Sequence, residues 1–209
     1  MSCSLKPSPM KAVVVSLLLL SALPLPRTGA TLALPTGAYL PNADEPLRTA
    51  CGQETTLHQA MGTNGLLIMF TSNVCPYVLR NQARTNTVCQ YAQAHHIGVI
   101  LLNANEADRE VNESLHAMQV YAEAQGFKWP YALDKDSHLA DVFGADHTPD
   151  CFLFDKDSRL VYSGGIDDNP GNAAQVKVHY LQNALEALAE GKSISDHKGD
   201  DVGCSVKRK

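Results

Sequence analysis

The stretch "GLLIMFTSNVCPYVL" (Gly65–Leu79) decides how the rest of the chain is read. "GLLIMF" is a short apolar run bounded by turn residues, which predicts a buried strand. A polar loop follows, and then Cys75 stands directly before Pro76. Pro76 suits the first turn of a helix, where its missing N–H costs nothing. Beyond it, "YVLRNQARTNTVCQYAQAHH" places Val78, Ala83, Val88 and Ala92 at spacings that suit a helix packed on one side. A strand therefore feeds a helix, with one cysteine at the join. Three residues upstream, where a dithiol site would hold a second cysteine, stands Ser72.

Outward from this unit the same two signals alternate. "IGVILLNAN" (Ile97–Asn105) is a second buried strand, and the helix between the two strands is the crossover of a parallel pair. "ESLHAMQVYAEAQG" (Glu113–Gly126) predicts a second helix closed by glycine, and "SHLADVFG" (Ser137–Gly144) a short third one. "DCFLFD" and "RLVYSG", joined by "DKDS", read as a β-hairpin over Asp150–Gly164. "VKVHYLQNALEALAEG" (Val176–Gly191) predicts a final amphipathic helix. Residues 31–64 read as an irregular lead-in with short strands, and 192–209 as a polar, extended tail. The order implies one α/β domain over residues 36–191, with a mixed central sheet and helices on both faces.

The first residues read as a targeting segment. Lys6 and Lys11 precede "AVVVSLLLLSAL", which Pro24 and Pro26 end, and small residues follow in "RTGATLA". The apolar run is shorter than the roughly 20 residues a membrane span needs. This pattern predicts a secretory signal over residues 1–30, cleaved after Ala30 or Ala33, and hence a periplasmic or secreted protein without stable membrane insertion. Loss of Lys6, Lys11 and Arg27 takes the formal net charge from -5 to -8. An acidic chain whose only basic run is Lys207-Arg208-Lys209 does not fit a nucleic-acid binder.

Export changes how the cysteines read. Cys3 leaves with the signal, and Cys51, Cys75, Cys89, Cys151 and Cys204 remain, an odd number, so at least one is free or pairs between molecules. No C-x-x-C or H-x-x-x-H pair builds a closed metal site, and no cofactor is implied. His95, His96, His138, His147 and His179 are scattered and read as structural or solvated. Cys89 lies fourteen residues along the helix from Cys75. At about 1.5 Å rise per residue the two are roughly 20 Å apart, so Cys89 reads as core.

Four motifs carry a resemblance: the strand, loop and "CPYV" opening a helix; "HTPDCFLFD"; "RLVYSGGIDDN"; and the terminal "GCSVK". On these the chain, from about Thr36 to Lys209, resembles thioredoxin-fold proteins of the alkyl hydroperoxide reductase/thiol-specific antioxidant (redoxin) group. The resemblance implies a thioredoxin fold with a cis-proline at Pro149, beside which Thr148 presents a docking edge for an extended peptide. It also implies a protein or small-molecule thiol, disulfide or peroxide as reaction partner. Close relatives read Cys-Asn-x-Cys-Pro, and here Ser72 replaces the first cysteine. A serine hydroxyl ionises far above a thiol, so dithiol cycling within this motif is excluded.

Cys75 remains, at a helix N-terminus where unpaired N–H groups favour a thiolate. The leading expectation is a thiol oxidoreductase or antioxidant protein acting through Cys75, with Ser72, Thr148 and Pro149 shaping the site. Ser72-x-x-Cys75-Pro76 also matches the one-cysteine peroxiredoxin pattern. Against that stand Ile68, where that family carries proline, and the lack of an arginine assigned to the site, Arg80 and Arg84 being the candidates. A third expectation is a redox-silent binding protein. Cys151, Cys204 and Cys51 are the candidate resolving thiols, and Cys51 and Cys204 are alternatively a bridge to each other. His147 is either a modulator of the Cys75 pKa or, by default, a solvent-facing loop histidine. Asp167-Asp168 reads as a turn or capping pair.

Overall fold

The computed structural model describes residues 33–194 and 202–209. The expected signal segment, residues 1–30, lies outside the described residues, as does the tail stretch 195–201.

The chain opens with a small hairpin, β1 (Leu47–Arg48) and β2 (Glu54–Thr55), and a one-turn helix α1 (Leu57–Ala60) capped by the Thr56 hydroxyl. Then come β3 (Gly65–Thr71), α2 (Pro76–Ala94), β4 (Ile97–Asn103), α3 (Leu115–Gln125), β5 (Tyr131–Leu133) and α4 (His138–Phe143). The second half holds β6 (His147–Thr148), β7 (Asp150–Asp155), β8 (Leu160–Gly164), α5 (Tyr180–Ala189) and β9 (Cys204–Ser205). The main sheet runs β5-β4-β3-β7-β8. β3, β4 and β5 are parallel, and β7 and β8 join antiparallel. This is the mixed α/β sheet that the element order implies.

β3 is buried along its whole length and divides the core by alternation. Leu67 and Met69 point to the face covered by Val88, Cys89 and Ala92 of α2, Met118 of α3 and Leu181 and Leu185 of α5. Leu66, Ile68 and Phe70 point to the other face, covered by Leu57 of α1 and Leu139, Ala140 and Phe143 of α4. Phe70 meets Phe143 and Phe152 edge-to-face at 5.7 Å, contacts worth about 0.5–1.5 kcal/mol each beyond their burial. Packing on both sides leaves the C-terminal end of β3 as a rigid mount for the loop carrying Cys75.

Two boundaries and one strand differ from the sequence reading. α3 begins at Leu115, because Ser114 caps it by accepting from the Ala117 N–H at 3.2 Å. Glu113 is thereby left outside the helix. The final helix begins at Tyr180, with only a single 3-10 turn (Ala173–Gln175) before it. β5, three residues long, gives too short a pattern to be read, yet it extends the parallel side of the sheet.

Candidate active site

The loop after β3 is shaped by Ser72. Its hydroxyl oxygen accepts from the N–H groups of Val74 and Cys75, both at 3.1 Å, and its own proton goes to Glu113 Oε1 at 2.5 Å. Ser72 is 2% exposed. It holds the turn that delivers Cys75 to the N-cap of α2, and the side chain of Cys75 makes no capping bond there. The sulfur thus sits at the positive end of a 19-residue helix, which favours a thiolate.

The opposite wall is the edge that leads into β7. The Thr148–Pro149 peptide bond is cis. Cys75 Sγ lies 3.3 Å from the Thr148 carbonyl oxygen, to which a reduced thiol donates. Cys75 is 3% exposed, and the chain's own C-terminus runs beside it. β9 pairs antiparallel with β6, placing Cys204 opposite Thr148 and Ser205 opposite His147. Cys75 and Cys204 form a disulfide, with Cα atoms 5.9 Å apart.

From Gly203 to Lys209 the extended tail is docked on the domain, a contact that its polar composition does not announce. A Cβ on Gly203 would stand 2.5 Å from the Thr148 carbonyl oxygen, so only glycine permits this approach. The Val206 N–H donates to Asp146 O at 2.9 Å, and its side chain joins the apolar cluster of Leu139, Phe143 and Ala145. The Lys207 N–H donates to Asn105 Oδ1 at 2.8 Å. Arg208 reaches Asp141 at 2.7 Å, the Ala145 carbonyl at 2.8 Å and Asp146 at 3.4 Å, and Lys209 stands 3.6 Å from Glu106. These carboxylates lie some 60 to 100 residues upstream, so no local pattern announces them.

Glu113 is the residue that sequence reasoning missed. It is fully buried. Besides Ser72 it accepts from the Asn73 N–H at 3.0 Å, Asn103 Nδ2 at 2.6 Å and Asn105 Nδ2 at 3.1 Å. Arg109 braces the same cluster through Asn103 Oδ1 at 3.1 Å and the Glu113 carbonyl at 2.6 Å. Asn105 links Glu113 to Lys207, and Ser72 links it to Cys75. One buried carboxylate thus ties down the segments that carry both sulfurs. The signal in the sequence was a Glu-Ser pair at a helix start, where the serine caps and the glutamate is free to turn inward.

The remaining sequence candidates are placed as follows. Cys151 and Cys89 are both free and fully buried, and burial pushes their thiols up. Cys51 is free and exposed; its thiol lies 3.1 Å from the Thr49 hydroxyl, which lowers its pKa. Neither Cys151 nor Cys51 is bonded to Cys75, and the alternative Cys51–Cys204 bridge is not made. His147 is not solvent-facing: it is 9% exposed, between Asp150 (Nδ1 to Oδ2, 4.0 Å) and Gly203. The reason is β9, which covers it. Arg84 is committed to buried Asp167 and to the Asn169 carbonyl at 3.1 Å, while Arg80 is exposed over the Tyr77 ring. Asp167 is therefore an ion-pair partner as well as a turn acceptor for the Asn169 N–H, and Asp168 accepts from the Lys177 N–H at 2.9 Å. Among the described residues no cluster of three or more His, Cys, Asp or Glu suits a metal ion, and no helix is long and apolar enough to cross a membrane.

A cysteine at a helix start, facing a cis-proline edge at the end of a mixed sheet, defines a thioredoxin-like protein with a thiol site. Sequence comparison narrows this: the Redoxin family model matches residues 35–180, and the chain belongs to that family. Among solved structures it is similar to a hypothetical protein from Sinorhizobium meliloti 1021, at 31% identity and a TM-score of 0.77, covering 85% of this chain and 97% of that one. It is similar to an uncharacterized conserved protein from Geobacillus kaustophilus, at 30% identity and 0.76, covering 84% and 93%. A cysteine-to-serine mutant of Xylella fastidiosa PrxQ shares the fold at 18% identity and 0.58, covering 77% and 98%. No curated protein matches the chain.

Proposed function

We propose that this chain is an exported thiol oxidoreductase of the redoxin family in which Cys75 is the reactive thiol and Cys204 resolves it. The observation that carries the reading is the Cys75–Cys204 disulfide at the start of α2, against the Thr148–Pro149 edge. Export rests on the pattern of residues 1–30.

The chemistry follows from exposure and charge. In the reduced state the Cys75 thiolate attacks a disulfide R–S–S–R, forming Cys75–S–S–R and releasing RS⁻. The Cys204 thiolate then attacks Cys75 Sγ, closing the internal disulfide and releasing the second RS⁻. The net change is reduction of one disulfide and oxidation of the Cys75/Cys204 pair. Reopening begins at Cys204, which is half-buried where Cys75 is buried. An external thiolate bonds to Cys204 Sγ and Cys75 leaves as a thiolate, the better leaving group for its place at the helix end. Ser72 takes no part as a nucleophile, since its proton is held by Glu113 and its lone pairs by two N–H groups. Disulfides are favoured over peroxide as the oxidant because the two arginines of α2 are engaged away from the sulfur, the half-buried Arg84 with Asp167 and the exposed Arg80 over the Tyr77 ring.

Alkylation of the native protein before and after mild reduction, followed by mass spectrometry, tests this. Cys75 is expected to be unreactive when oxidised and, after reduction, to react at a pH below that of an ordinary thiol. A Cys75 that reacts only after denaturation overturns the reading. A sulfenic acid at Cys75 under mild peroxide, with no reaction towards disulfides, would replace it with the peroxidase.

A further inference from the structure

The segment that carries Cys204 is seated as a bound peptide would be. Its backbone pairs with β6 in a register that sets a cysteine opposite Thr148, within bonding reach of Cys75. One position before that cysteine only glycine fits, because a Cβ would meet the Thr148 carbonyl and the His147 ring. Two positions after it, Val206 is buried in the apolar cluster around Phe143. Four and five positions after it, Arg208 and Lys209 meet acids from three separate segments: Asp141 on α4, Asp146 before β6, and Glu106 in the 3-10 turn after β4. Glu106 is shared with Arg109 at 3.2 Å, and Asp141 and Asp146 both face Arg208.

We infer that this trench is a recognition site for an extended, cysteine-bearing polypeptide with glycine before the cysteine, an aliphatic residue two positions after it and basic residues beyond. The chain's own C-terminus occupies it while the disulfide is closed. The inference deepens the reading of Cys75 as the reactive thiol and rests on it. Main-chain pairing at a sheet edge supplies binding without sequence preference, and pockets and charges at alternate positions supply the preference. Here the preference is for cations, in a protein that is otherwise acidic. Once the disulfide opens, the tail is held by non-covalent contacts alone: a two-residue ladder, main-chain bonds of Val206 to Asp146 and of Lys207 to Asn105 and Ala107, one valine side chain and partly exposed ion pairs. Exposed pairs are each worth at most a few-fold in affinity, so the segment can exchange with one supplied from outside. Its tether gives it an effective concentration in the millimolar range, which sets the competition an incoming peptide must meet.

The test uses the full chain with Cys204→Ser, which leaves Cys75 free and the tail unable to trap it. Two synthetic peptides are compared: DVGCSVKRK, and the same peptide with its three basic residues replaced by glutamate. Each carries its cysteine as a mixed disulfide with an aromatic thiol. The Cys75 thiolate displaces that thiol, so its release gives the rate and the Cys75–peptide disulfide is the product. The basic peptide is expected to react about tenfold faster, the product of several few-fold pairs. The ratio should fall towards one in about 1 M salt, where the screening length is near 3 Å. It should also fall in Asp141→Asn/Asp146→Asn but not in Asp44→Asn/Asp157→Asn, which removes the same charge elsewhere. The ratio is read because neutralising Asp141 and Asp146 also loosens the tail. Equal rates for the two peptides, or equal effects of the two double variants, overturn the inference and leave the reactivity of Cys75 standing. A Cys75 inert even to the small aromatic disulfide overturns the function on which it rests.

Discussion

Substitution of Glu113 by glutamine is nearly isosteric and asks how much one buried carboxylate holds. The carboxylate accepts from four donors, Ser72 and Asn105 on Oε1 and Asn73 and Asn103 on Oε2. Glutamine keeps one oxygen. Whichever way its amide is turned, two donors face an NH₂ group. Ser72 cannot escape by rotating its hydroxyl to accept, because both its lone pairs already serve Val74 and Cys75. Each buried donor left without its acceptor costs about 1–3 kcal/mol. The loss of a buried charge offsets part of this, leaving about 2–4 kcal/mol. Urea unfolding of the reduced protein is the assay. With a slope of about 2 kcal/mol per molar, the midpoint should fall by about 1–2 M. The same variant should speed alkylation of reduced Cys75, since its loop loses its anchor. A midpoint within about 0.3 M of the parent would refute the reasoning that Glu113 holds this site together.

Three further outcomes follow from the structure. Cys75 and Cys204 are 129 residues apart, so closing the disulfide should stabilise the chain by up to about 5 kcal/mol in the chain-entropy account; oxidised protein should unfold at clearly higher urea than Cys204→Ser, and reduced protein should match that variant. Gly203→Ala forces a Cβ against the Thr148 carbonyl. Overpacking of about 1–3 kcal/mol should shift the internal disulfide towards the reduced form by on the order of tenfold or more in a glutathione buffer, read by quenching and mass spectrometry. Asp134 caps α4 through the Leu139 and Ala140 N–H groups, and burial lifts its pKa from 3.8 to about 6. A folded pKa above the unfolded one means that its contribution is complete below pH 4 and is lost as pH rises through 6. Asp134→Asn should therefore gain about 2–3 kcal/mol on the parent between pH 4 and 7 in paired urea titrations.

How much of this was legible depends on whether a feature is local. β3 and α2 declare themselves because the apolar run, the helical period and Pro76 lie within thirty residues. The β7–β8 hairpin does the same through its turn. The docking of the tail is not local: Val206, Lys207 and Arg208 find partners that only folding brings near. "GCSVK" was read as a motif, but its glycine matters for a close approach that no window of sequence contains. His147 reads as exposed because the strand that buries it comes 57 residues later. The periodicity of its neighbours draws Glu113 into α3, whereas Ser114 takes the cap. Ser72 read as a lost nucleophile; in the folded chain its hydroxyl builds the turn that presents Cys75.

The central claim is that Cys75 and Cys204 are the pair that opens and closes. Equilibrating the native mature protein across a series of glutathione redox buffers, alkylating, and mapping every cysteine by mass tests it most directly. The expected result is that Cys75 and Cys204 change together along one two-electron curve, that Cys51 is alkylated throughout, and that Cys89 and Cys151 stay unmodified until the protein is denatured. A Cys75 that remains unmodified at every potential, or that pairs with a cysteine other than Cys204, would contradict it.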